Sequence, residues 1–193
     1  MLKSASALAS AKPFVSKQLT IVEAPDYAIM QYAGTDKVLK KLLGKIPANV
    51  GIAQDGLFRI GPKQIWSIQL FNRHPRAGGD LTETPMHALD SRLRGNDVLR
   101  KTNDVAGVFT TDLSSSRTRV EITGTPARRL LAKCAAIDFS GQNFKPTHFI
   151  MTGIHHVPVL IHCIDADQFH IYVMRTFALS VWEYLTDASL EFK

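Results

Sequence analysis

The sequence predicts an α+β fold, with antiparallel or mixed sheets and helices packed on one sheet face. Three observations carry this expectation. Short segments rich in β-branched and aromatic residues, some with period-two alternation, recur along the chain. Segments with helical spacing separate them after Thr35 and Thr125, and another closes the chain after Thr176. Polar turns join the neighbouring strands, so the sheets and helices form layers around one core.

The elements follow in order. Leu19–Glu23 and Tyr27–Gln31 are short strands around the turn pair Pro25-Asp26. Thr35 is placed to cap a helix over Lys37, Val38, Leu39, Leu42 and Leu43, which Gly44 and Pro47 stop. Phe58–Ile60 and Ile65–Leu70 are strands around Gly61-Pro62, and Val108–Asp112 is a further extended segment. Val120 and Ile122 alternate with Arg119, Glu121 and Thr123, the pattern of a half-buried strand. Thr125 before Pro126 reads as a helix start, with Leu130, Leu131 and Cys134 on the buried face. Val157–Ile164 and Phe169–Val173 are strands joined by the turn Asp165-Ala166-Asp167-Gln168. Thr176 can cap the last helix, with Phe177, Val181, Tyr184, Leu185 and Ala188 on its inner side.

The 193 residues are enough for one large or two small domains with a true core. Residues 1–18 read as a mobile or loosely docked tail: they are Ser/Ala-rich and carry no acidic residue. They resemble an organelle transit peptide only superficially. Residues 19–193 read as one domain. The formal charge of +6 is spread along the chain, so it predicts a solvated surface or an acidic partner subunit. No Lys/Arg stripe interleaved with aromatics suggests nucleic acid. No apolar run reaches the roughly 20 residues of a membrane span. Cys134 and Cys163 lie in apolar stretches and read as small core residues, which suits a reducing, cytoplasmic setting.

Residues 72–104 break the pattern. The arms Arg73–Asp80 (RHPRAGGD) and Ser91–Asp97 (SRLRGND) flank LTETPMHALD, where a short connection between strands is expected. The arms resemble the translated arms of dispersed palindromic repeat elements in some bacterial genomes. The reverse complement of codons for Arg-Gly-Asn-Asp, in another frame, encodes an Arg-His-Pro/Ser-Arg stretch. One DNA stem therefore accounts for both arms. An ordinary loop and a selected insertion are the other readings.

Candidate chemistry is sparse. His148, His155, His156, His162, Cys163 and His170 lie close in sequence. They form neither a Cys-x-x-Cys nor a His-Glu-x-x-His pattern. Ser114-Ser115-Ser116 lacks the glycines and lysine of a phosphate loop. Asp138 reads as a turn acceptor after the helix, and Asp165 and Asp167 as exposed turn residues. No catalytic, cofactor-binding or metal-binding residue is therefore assigned. Trp182 and Tyr184 are the candidates for a partner interface. Trp182 lies off the Phe177–Val181–Leu185 line, at the core edge or facing a partner.

With 72–104 set aside, the chain resembles the gamma subunit family of heterotetrameric sarcosine oxidase. The residues that carry this are the strand Val120–Gly124, the Gly-x-Pro-x-Arg opening (Gly124, Pro126, Arg128) and the run Leu130–Phe139. Phe144, Gly153, Pro158-Val159-Leu160, Phe177 and Trp182 complete it, with Thr111–Ser114 and Arg117 upstream. The likeness is strong over Val108–Ala188 and weak over Leu19–Leu70. Lys133-Cys134, without an intervening Gly, and His155-His156 in place of a Gly-rich hairpin depart from it. The resemblance implies a fold like the folate-binding aminomethyltransferase domain. It implies a non-catalytic assembly subunit, inactive alone, of a complex that oxidatively demethylates sarcosine. It also implies alpha, beta and delta partners, with FAD, FMN, NAD and tetrahydrofolate held there and no cofactor in this chain. A stand-alone folate-binding or aminomethyl-transfer protein is the alternative.

Overall fold

The computed structural model describes residues 6–70 and 106–193. The expected insert at 72–104 lies outside the described residues. The chain divides into two compact units, Met1–Pro25 with Ser115–Lys193, and Asp26–Ser114. The sequence reading had one domain from Leu19 onward.

The first unit is built on a six-stranded antiparallel sheet. Its strands are β1 (Phe14–Val15), β2 (Thr20–Glu23), β8 (Arg117–Thr123), β9 (Phe149–Ile154), β10 (Val157–Asp165) and β11 (Gln168–Met174). They lie in the order β1-β2-β8-β11-β10-β9. Alternation puts every second side chain on one face. The register then aligns Ile21, Ile122, Phe169 and Cys163 in one row across four strands. Val120, Ile171, Ile161 and Ile150 form the next row.

Two helices cover that face. Ala127–Cys134 contributes Leu130, Leu131 and Cys134, and Ala178–Ala188 contributes Ala178, Val181, Trp182 and Leu185. Part of the stretch read as a mobile tail belongs to the same core. Leu8 is buried, and Ala7, Ala11 and Phe14 pack beside it. The Ser6 hydroxyl donates to the Glu23 carboxylate. Leu8, Ala11 and Phe14 recur every three residues, a spacing hidden by the Ser/Ala-rich composition.

The second unit carries a five-stranded antiparallel sheet. Its strands are β3 (Tyr27–Gly34), β4 (Ala53–Gln54), β5 (Leu57–Gly61), β6 (Gln64–Leu70) and β7 (Val108–Asp112), in the order β4-β5-β6-β3-β7. Helix α1 (Asp36–Leu43) packs Leu39 against Met30, Tyr32, Ile46, Leu57 and Ile65. It ends at Gly44, whose φ of 75° suits glycine. Arg59 is buried and pins the helix start. Its guanidinium donates to both Asp36 carboxylate oxygens at 3.0 Å and to the carbonyls of Pro47 and Pro62. These bonds hold the Asp36 carboxyl below the usual carboxylate range.

The α+β class with antiparallel sheets and helices on one sheet face is what the sequence predicts. Several local expectations differ. Thr125 makes no cap: the second helix (Ala127–Cys134, now α2) has Pro126 at its N-cap, and the Ala127 amide donates to the Gly124 carbonyl. Thr176 falls inside a 3₁₀ turn, Arg175–Phe177, so the last helix (now α3) starts at Ala178. That turn takes Phe177 out of helical phase and leaves it 45% exposed instead of on the inner side. Strand β9 was not foreseen.

Candidate functional site

The Gly-x-Pro-x-Arg opening of α2 is structural. Gly124 has φ 133°, and a Cβ there would meet the Gln18 carbonyl oxygen at 1.9 Å. Only glycine allows strand β8 to turn against that backbone. Arg128, the second residue of α2, ties two loops together: the Asp165–Gln168 turn and the connection between α2 and β9. Its guanidinium donates to the carbonyls of Ala166 (2.8 Å), Phe139 (2.5 Å) and Phe144 (2.8 Å). It also lies 5.2 Å from the centre of the Phe169 ring. Phe139, Phe144 and Phe169 pack edge-on or stacked beneath it. A planar fork of donors facing carbonyls is a bracing device, not a reactive one. Asp138 accepts from the Ser140 amide at 2.8 Å in the following turn, which holds its carboxyl below the usual range.

The groups with chemical potential are muted by their surroundings. Burial raises the Cys134 thiol to about 11. Burial also raises Cys163, against the opposing pull of Arg128. Neither is a thiolate at neutral pH. His162 and His170 lie side by side on β10 and β11, with ring centres 6.5 Å apart. Burial lowers His162 to about 3, and the neighbouring His170 adds to this. Burial is also the main influence on His170, and it lowers it.

His170 Nε2 is 3.5 Å from Glu121 Oε2, yet both ring nitrogens are buried without a hydrogen-bond partner. The Glu121 carboxyl is pulled down, first by His170. The two tendencies conflict, because a neutral imidazole is a poor counter-charge. Burial decides it: His170 is neutral at pH 7, and the contact is not an ion pair. Among the described residues, no group of three or more His, Cys, Asp or Glu is placed to hold a metal.

The exposed feature is aromatic. The register of β9 and β10 pairs Ile154 with Val157 and leaves His155-His156 as a two-residue hairpin loop. Both take positive φ, 46° and 67°. That is the primed-turn conformation, which Asn-Gly adopts without strain and β-carbon residues adopt at a cost. Both histidines are exposed. His155 stacks on Tyr184 of α3, with ring centres 4.9 Å apart and 28° between planes. His156 is 5.7 Å from His155.

The two interface candidates therefore part company. Trp182 is 5% exposed and sits in the core cluster. Helix α3 packs against both the sheet and α2, so its buried arc is wider than a single stripe. Tyr184 is half-buried and reaches the surface beside the histidines. Sequence reasoning missed this grouping because strand β9, which sets the hairpin, went unread.

A six-stranded sheet with two helices on one face, braced by a Gly-x-Pro-x-Arg helix opening, defines an α+β module. Comparison with known proteins gives the family. Residues 86–191 match the model of the sarcosine oxidase, gamma subunit family, and the chain belongs to that family. The match begins inside the stretch read as an insert.

A chain of the heterotetrameric sarcosine oxidase from Corynebacterium sp. U-96 has a similar structure, with a TM-score of 0.76 at 20% identity. The alignment covers 98% of this chain and 96% of that one. The glycine cleavage system aminomethyltransferase T from Bartonella henselae is similar at a TM-score of 0.55 and 12% identity. There the alignment covers 87% of this chain and 45% of the other. No curated protein sequence matches significantly. Among the described residues, no helix is long and apolar enough to cross a membrane.

Proposed function

We propose that this chain is the non-catalytic assembly subunit of a heterotetrameric sarcosine oxidase that oxidatively demethylates sarcosine. The observation that carries this reading is membership of the gamma subunit family over residues 86–191. The muted chemistry supports it. The thiols are protonated, the buried histidines neutral, and Arg128 spends its donors on carbonyls.

In this reading the partners are alpha, beta and delta subunits. FAD, FMN, NAD and tetrahydrofolate belong to them, and the complex is cytoplasmic. Tyr184, with His155 and His156, is the partner-facing aromatic group. Trp182, two residues away on the same helix, belongs to the core. An aromatic side chain half-buried at a rigid helix suits an interface anchor, because little freedom is lost on binding.

The test is the isolated chain. Purified alone, it should be colourless and should not oxidise sarcosine. Stoichiometric flavin absorbance in the purified chain would overturn the reading.

A further inference from the structure

A second surface in the first unit has a different chemistry. Lys17, Gln18, Arg129, Glu191, Phe192 and Lys193 line a hollow of about 300 Å³. It lies beside β1 and β2, at the opposite sheet edge from the β9–β10 hairpin. Phe192 is buried, and the Arg129 guanidinium and Lys133 ammonium sit 5.2 and 5.8 Å from its ring centre. The ring orients these cations without neutralising them. The hollow's one carboxylate side chain, Glu191, is engaged by Lys133 at 3.2 Å. Among the described residues, no carboxylate side chain pairs with Lys17, Arg129 or Lys193. Lys193, the last residue, brings an α-carboxylate along with its ammonium, so Lys17 and Arg129 supply the net positive charge of the hollow. Val15, two residues before Lys17, and Leu190, next to Glu191, are exposed apolar residues, at 70% and 49%.

We infer that this hollow docks an acidic segment of another subunit of the complex, its carboxylates meeting Lys17, Arg129 and Lys193. The inference rests on the assembly reading above. Charge complementarity selects the occupant: the chain has a formal charge of +6, and among the described residues no carboxylate side chain pairs with Lys17 or Arg129. These exposed apolar neighbours in sequence suit a segment that also carries an aliphatic side chain. Nucleic acid fits less well. Single-strand binding needs exposed rings for bases to stack on, and the one ring here is buried under two cations.

The experiment compares the full chain with a Lys17→Glu/Lys193→Glu variant in binding to the coexpressed alpha, beta and delta subunits. Binding is measured at low salt and at high salt. The parent should bind more weakly as salt rises. The variant should bind roughly tenfold more weakly at low salt and lose most of that salt dependence. If its melting temperature falls, Lys17→Gln/Lys193→Gln carries the same comparison.

A variant with the parent's affinity and salt slope overturns the inference and leaves the assembly reading standing. A parent that binds none of the subunits at any salt overturns both. Binding of duplex DNA that is lost in the variant, with subunit binding unchanged, overturns the inference in favour of nucleic acid. Tyr184→Ala, at the other sheet edge, should weaken binding without altering the salt slope. A flattened slope in that variant would place the charge effect away from the hollow and contradict the inference.

Discussion

At the scale of single residues, the backbone constraint at Gly124 is the sharpest in the chain. A methyl group there would meet the Gln18 carbonyl oxygen at 1.9 Å, and the position holds φ 133°. Both obstacles are backbone, so neither relaxes by a rotamer change. Gly124→Ala should cost about 3 kcal/mol or more and lower the melting temperature by roughly 10 °C. An unchanged melting temperature would mean that the β8–α2 connection is misplaced.

The desolvated imidazoles, half-buried His162 and buried His170, predict acid sensitivity. The folded pKa of His162 is lowered from 6.5 to about 3. Between those values the unfolded chain binds a proton that the folded chain does not. Stability is therefore full above about pH 6.5 and declines as pH falls toward 3. His162 alone should cost about 2 kcal/mol by pH 5. The depressed carboxyls of Asp36 and Asp138 act only at lower pH, below their unfolded values near 3.8. Melting curves at pH 7.5 and 5 check this, and His162→Gln should remove most of the difference. Equal melting temperatures at both pH values would show that the imidazole is hydrated. Burial at this level was partly legible. Leu130, Leu131 and Cys134 follow helical spacing, and all are buried. His162 and His170 could not be sorted from surface histidines, because alternation places them on the sheet face opposite the two helices.

At the scale of elements, strands with alternation or β-branched runs were readable, and their bounds moved by few residues. Helix starts were less readable. Thr125 and Thr176 have cap chemistry, but Pro126 and a 3₁₀ turn set the entries instead. Strand β9 was missed because FIMTGI has neither clean alternation nor a recognisable turn after it. His155-His156 carries none of the usual Asn-Gly signal, yet adopts the same geometry. That mismatch predicts a stabilising change. His155→Asn with His156→Gly should relieve the strain and raise stability by about 1 kcal/mol, a rise of a few degrees in melting temperature. The loss of the His155–Tyr184 stack works against this gain. A lower melting temperature would show that the stack outweighs the backbone strain.

At the scale of the whole molecule, the family was legible in Val108–Ala188, where Gly124 and Arg128 brace the fold. The candidate interface was only half legible. Tyr184 reaches the surface, but Trp182 does not, because helical phase alone does not reveal a helix packed on two sides. The central claim is that this chain works by assembly. Its most direct test is coexpression with the alpha, beta and delta subunits, followed by size-exclusion chromatography with mass determination. The account predicts one complex containing this chain in stoichiometric amount. Tyr184→Ala should weaken that complex by roughly 2 kcal/mol, while in the isolated chain it should lower the melting temperature by only a few degrees through the lost stack on His155. Trp182→Ala should lower the melting temperature first. Elution of the parent chain as a free species, beside an active complex of the other subunits, would contradict the account.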